Sequence, residues 1–141
     1  MIAVYAGRFD PVTNGHLDIL RRAARIFEQV IVAVFDAPSD KTLFSTSRRV
    51  SMFQACVQDM PSVSVESFDG LLTDFVRTVG ADAIVRGLRA VTDFSVEFDQ
   101  ALMYKDIAPE IAHQIHLLDL WSHVLVHERL IELDGEVGHG A

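Results

Sequence analysis

At 141 residues, half of them hydrophobic, the chain is long enough to close one substantial core and too apolar to stay disordered. Its 20 acidic against 12 basic residues leave a formal net charge of -8, which excludes the broad basic surface that nucleic-acid binding calls for. A single cysteine excludes an internal disulfide, and no apolar run approaches the roughly 20 residues needed to span a bilayer, which speaks against membrane insertion.

The chain reads as one domain over 1–141, without internal repeat, low-complexity tract or linker. Cys56 falls in an apolar helical pattern and reads as a core thiol, which fits a cytoplasmic setting. The N-terminus runs into strand-like sequence with no basic region or cleavage site ahead of it. A phosphate ligand in so acidic a chain requires a local basic cluster.

Met1 to Ala6 is apolar enough for a strand buried on both faces of a parallel sheet. Beyond it, Leu17, Leu20, Ala23, Ala24 and Phe27 recur at helical spacing with charges between them, and Asn14 suits the N-cap. The turn between them, Gly7-Arg8-Phe9-Asp10-Pro11-Val12-Thr13-Asn14-Gly15-His16, presents backbone N–H groups and the positive end of a helix to one spot, a good seat for phosphate. His16 can donate a ring N–H there; equally, it serves as a simple helix-start histidine beside turn-forming glycines.

Gln29 to Phe35 is a β-branched second strand, and strand, helix, strand implies a right-handed crossover. The loop from Asp36 to Phe44 leaves the carboxyl end of that strand, where open α/β sheets bind ligands, and Lys41 can reach phosphate from it. Ser45, Thr46 and Ser47 offer caps for a helix through Val50, Phe53 and Val57, whose Arg48 and Arg49 read as solvated first-turn charges. Val63 to Ser67 alternates as a short strand, and a helix through Phe75, Val76 and Val79 opens at Leu71-Leu72 and stops at Gly80. Asp82 to Arg89 is a strand that turns basic around Gly87, so that Arg86 and Arg89 converge on the ligand side, where guanidinium groups suit phosphate. Thr92 caps a further helix carrying Asp93 and Glu97 near its positive end, and Gln114 to Leu120 supplies a fifth strand. His113, His116, His123, His127 and His139 crowd the tail without the regular partners that a zinc site needs.

The Gly-x-Phe-Asp-Pro-x-Thr-Asn-Gly-His stretch and the Arg-Gly-Leu-Arg stretch at 86–89 closely resemble the signatures of the phosphopantetheine adenylyltransferase family, within the nucleotidyltransferase superfamily. That resemblance, which follows the chain to about Glu110, implies an α/β fold, a Rossmann-like doubly wound parallel five-stranded sheet in a single domain. It implies transfer of an adenylyl group from ATP to 4'-phosphopantetheine, giving dephospho-coenzyme A and pyrophosphate. By the same resemblance His16 is the main transition-state stabiliser, and Arg8, Phe9, Gly87, Leu88, Arg89, Glu97 and Ser122 join it around ATP. Arg8, Lys41, Leu72 and Arg86 fall on the acceptor side, Mg2+ accompanies the phosphates without a dedicated protein site, and the assembly is a homo-oligomer, a hexamer in the family.

The chain departs from the pattern at four places. Arg8 stands where the family has Thr or Ser, Lys41 is one residue late, and Tyr104 replaces an Asn. Leu125-Val126-His127 occupies the place of a Ser/Thr run, so 111–141 diverges. These departures motivate a second reading, a non-catalytic nucleotide-binding or assembly subunit. A third is adenylyl transfer to another phosphate such as nicotinamide mononucleotide, against which the Arg-Gly-Leu-Arg stretch argues.

Overall fold

The computed structural model describes residues 1–88, 99–100, 102–103, 105–117 and 124–126. The expectations placed on Arg89, Thr92, Asp93, Glu97, Tyr104, Ser122, His123, His127 and His139 lie outside them.

The chain begins β1 (Ile2–Gly7), α1 (Asn14–Ile26), β2 (Gln29–Phe35), a 3-10 turn (Ser39–Lys41), α2 (Thr46–Cys56), β3 (Val63–Phe68) and α3 (Leu72–Val79). It goes on to β4 (Ala83–Leu88), β5 (Ala112–Leu117) and β6 (Val124–Val126). The strands form one sheet in the order β3-β2-β1-β4-β5-β6. Every adjacent pair is parallel except β5 with β6, which run antiparallel through Gln114 opposite Val126. The fold is therefore α/β around a parallel sheet, but the five-stranded expectation falls short. Strand β6 is a three-residue segment, too brief to give an alternation signal.

Alternation along the central strands separates two apolar layers, as the two-residue repeat of a strand dictates. Ala3 and Tyr5 of β1, with Val30, Val32 and Val34 of β2, face Ile19, Leu20 and Ala23 of α1 and Phe53 of α2. Val4 and Ala6 of β1, with Ile31 and Ala33, face Leu72 and Val76 of α3 and the buried Ala108 and Ile111. Most of these side chains are fully enclosed, and each Val, Leu, Ile or Phe among them is worth about 1.5–3 kcal/mol of transfer free energy. The second layer is tied at its rim by Arg77, which donates to Glu110 Oε1 and to the Ile107 carbonyl, both at 2.9 Å.

Three local expectations change. The N-cap of α1 is Thr13, not Asn14: its hydroxyl accepts the His16 amide while the His16 ring takes the Thr13 amide, a reciprocal capping pair. Cys56 is exposed, because Phe53 and Val57 take the inward positions at that end of α2. Arg48 is solvated as expected, whereas Arg49 is 1% exposed. The helix α3 does end at Gly80, whose φ of 69° is the left-handed conformation that suits glycine.

Candidate active site

The parallel strands β1, β2, β4 and β5 deliver their carboxyl ends to one edge of the sheet, and the β1–α1 turn crosses that edge. The turn is built on Phe9, a non-glycine residue at φ 49°. An aromatic residue adopts that conformation only when its surroundings impose it, at a cost of about 1–3 kcal/mol. Here the ring sits edge-on to Tyr5, His16 and Phe53, with centroid separations of 5.1, 4.9 and 4.8 Å. Gly7 suits the same packing, since a Cβ there would press on the Phe9 ring at 3.0 Å.

His16 stands on the first turn of α1, half-buried. The Thr13 backbone N–H donates to its Nδ1 at 3.0 Å, so the neutral ring carries its proton on Nε2. The cap of the helix thereby fixes both the tautomer and the ring plane of the histidine.

Arg86 reaches the same edge: its Nη1 donates to the Ala6 carbonyl at 3.1 Å, one residue before Gly7. Beside it, Gly87 packs so closely on α1 that a Cβ there would collide with Ile19 Cδ1. Beneath lies Tyr5, whose phenol burial pushes upward from its ordinary range, with the Arg86 charge pulling the other way. Arg8 is exposed at the mouth of the turn.

Lys41 is exposed at the end of the 3-10 turn, and its loop is fastened to the β1–α1 turn rather than loose. The Asp10 carboxylate accepts the amides of both Leu43 and Phe44. Leu72 is buried in the second core layer, while its neighbour Leu71 is 62% exposed, so of that pair Leu71 is the one open to solvent. Leu88 is placed by its backbone at the end of β4, opposite Leu117. Arg49 was missed as a site-forming residue. An arginine directly after another in a first helical turn gives no sign of which one points inward. Among the described residues no cluster of three or more His, Cys, Asp or Glu could hold a metal ion, and no helix is long and apolar enough to cross a membrane.

The cytidylyltransferase-like family model matches residues 4–130. Phosphopantetheine adenylyltransferase of Heliobacterium modesticaldum is 57% identical over 110 residues, 78% of this chain and 66% of that protein. The protein of the same name from Roseiflexus sp. is 54% identical over 110 residues, 78% of this chain and 69% of that one. The chain belongs to the phosphopantetheine adenylyltransferase family. It spans about two thirds of the length of the relatives it matches.

Solved structures outside the phosphopantetheine adenylyltransferase family share the fold. A bifunctional NMN adenylyltransferase/ADP ribose pyrophosphatase from Francisella tularensis aligns with TM-score 0.61 at 23% identity, over 86% of this chain and 38% of that one. A lipopolysaccharide core biosynthesis protein from Thermoplasma volcanium aligns with TM-score 0.59 at 17% identity, over 86% of this chain and 98% of that one.

Proposed function

We propose that the chain transfers the adenylyl group of ATP to 4'-phosphopantetheine, forming dephospho-coenzyme A and pyrophosphate as a step of coenzyme A biosynthesis. The supporting observation is the convergence of an Nε2-protonated His16, the Phe9 turn and Arg86 on one sheet edge, in a chain 54–57% identical over 110 residues to relatives that carry the activity's name.

The reaction needs no nucleophile from the protein. An acceptor phosphate oxygen attacks the α-phosphorus of ATP in line, and the bond to the β-phosphate bridging oxygen breaks, releasing pyrophosphate. The chain's part is alignment and charge stabilisation. In this reading Nε2–H of His16 donates to the α-phosphate as its charge grows, and the Phe9 N–H donates beside it. Gly87, Leu88, Arg89, Glu97 and Ser122 hold the nucleotide, while Arg86 and Lys41 grip the acceptor phosphate and Leu72 backs its arm. Arg8, a cation at the mouth of the turn, adds attraction for both substrates. Mg2+, accompanying the phosphates, would screen their charge and would be held mainly through them and water.

The proposal takes with it a doubly wound Rossmann-like winding over one domain, a cytoplasmic setting and a homo-oligomeric assembly, the hexamer of the family. The names carried by relatives favour this reading over a non-catalytic subunit or a nicotinamide mononucleotide acceptor. A pyrophosphate-release assay with both acceptors, run beside calorimetry with ATP, tests it. Turnover with phosphopantetheine is expected; binding of ATP without turnover supports the non-catalytic subunit instead.

A further inference from the structure

Arg49 belongs to α2, outside both sequence signatures, yet the residue is 1% exposed and its guanidinium lies under the Phe9 turn. Nε donates to the Phe44 carbonyl at 3.1 Å, and Nη1 donates to the carbonyls of Arg8 at 2.7 Å and Phe35 at 2.9 Å. Nη2 donates to Thr46 Oγ1 at 2.8 Å, and that hydroxyl donates onward to Asp36 Oδ1 at 2.6 Å. One side chain thus joins the end of β2, the start of α2 and the β1–α1 turn.

No ion pair among the described residues includes Arg49. Its charge is met by carbonyl dipoles and a hydroxyl, a costly arrangement that an apolar side chain of similar volume would avoid. What a guanidinium supplies and an apolar group does not is direction, several N–H bonds in a fixed plane.

The contact that matters for chemistry is the shortest one. The Arg8 carbonyl and the Phe9 N–H belong to one planar trans peptide, so they point in opposite directions. Holding the oxygen toward α2 turns the N–H away from it, and among the described residues no acceptor takes that N–H. A cation on the oxygen also polarises the peptide and strengthens its N–H as a donor. We propose that Arg49 is a positioning residue for adenylyl transfer, which fixes and polarises the Arg8–Phe9 peptide so that the Phe9 N–H meets the phosphate as charge develops. This rests on the functional reading above, but one of its readouts does not.

The experiment uses Arg49→Lys, which keeps the charge and loses the planar fork, and Thr46→Val, which removes the Nη2 acceptor together with its bond to Asp36 while leaving Arg49 itself intact. In Arg49→Lys, kcat for pyrophosphate release is expected to fall on the order of 10- to 100-fold, while KM for ATP stays within about threefold. The backbone 15N resonance of Phe9 is expected to move upfield as its peptide oxygen loses the bond. Thr46→Val is expected to move kcat and resonance the same way by less. A folded Arg49→Lys with wild-type kcat, or with a loss carried only by KM, overturns the proposal, as does an unmoved Phe9 resonance. If Arg49→Lys does not melt cooperatively, Thr46→Val decides, and unchanged kcat and resonance in it overturn the proposal. Absence of turnover by the wild-type chain refutes the functional reading instead and leaves the resonance test of Arg49 in force.

Discussion

Asp10 Oδ2 accepts the Leu43 amide at 2.6 Å, across 33 positions of sequence, and so joins the β1–α1 turn to the loop that carries Lys41. The other oxygen takes the Phe44 amide at 2.9 Å, so the carboxylate is engaged on both sides as an acceptor. This explains why the position calls for a carboxylate. Asparagine would set an NH2 donor against one of the two N–H donors.

Asp10→Asn is therefore expected to behave much like Asp10→Ala. Both should lower stability by about 1–3 kcal/mol, the range for hydrogen bonds to a charged group discounted for partial exposure. Both should raise KM for phosphopantetheine, because Lys41 loses its fixed distance from the turn. Thermal unfolding and steady-state kinetics on the pair check this, and a well-tolerated Asp10→Asn would show that the carboxylate's second acceptor is dispensable.

His16 caps α1 through Nδ1, and in the proposed reaction it donates through Nε2. Glutamine is a natural partner at this position of a capping pair, so His16→Gln should keep the cap while losing the imidazole donor. His16→Ala loses both. The two variants are expected to share a fall in kcat of about 10²–10³, but only the alanine variant should also lose about 0.5–1.5 kcal/mol of stability, the worth of the one hydrogen bond it removes. Equal melting temperatures would remove the histidine from the cap.

Much of this architecture was legible from local chemistry. The uninterrupted Gln29 to Phe35 run is β2 at its observed bounds, and Gly80 ends α3 because a left-handed residue was needed there. The basic turn at Arg86 was readable because charge at the end of an apolar strand is conspicuous. What could not be read was direction. Arg48 and Arg49 are neighbours of the same type, and only the docking of α2 against β2 and β3 sends one to solvent and the other beneath Phe9. Leu71 and Leu72 present the same problem on α3, and Cys56 was misplaced because apolar spacing alone did not fix which side of α2 turned inward. Asp10 matched the signature, but its partners came from a loop with no periodicity to announce them.

Gly87→Ala is expected to destabilise the fold by about 1–3 kcal/mol, the usual penalty for forcing a methyl into a filled space. The added Cβ meets Ile19 Cδ1, the tip of a fully buried side chain, which must move within a filled core to make room. Ile19→Val deletes that methyl at a cost of its own of about 0.5–1.5 kcal/mol, and the double variant should be more stable than Gly87→Ala alone. A double-mutant cycle by denaturant unfolding reads the coupling directly, and simple additivity would place the strain elsewhere.

Tyr5 predicts a pH dependence whose sign follows from burial. Its phenol is raised above the ordinary value near 10 by desolvation, so the folded chain keeps a proton that the unfolded chain gives up. Below about pH 10 both states hold that proton, and the group makes no difference to the slope. Above it the unfolded state binds fewer protons, and stability attributable to Tyr5 is lost at up to about 1.4 kcal/mol per pH unit until the folded phenol also ionises. Tyr5→Phe keeps the ring beside Phe9 and removes the titrating group. No described residue bonds the Tyr5 hydroxyl, so the variant should change stability at neutral pH by less than about 1 kcal/mol. Its unfolding free energy should then decline less steeply than wild type above pH 10. Urea titrations of both chains at pH 8 and at pH 11 make the comparison, and parallel slopes would mean that the phenol ionises as easily in the folded chain as in the unfolded one.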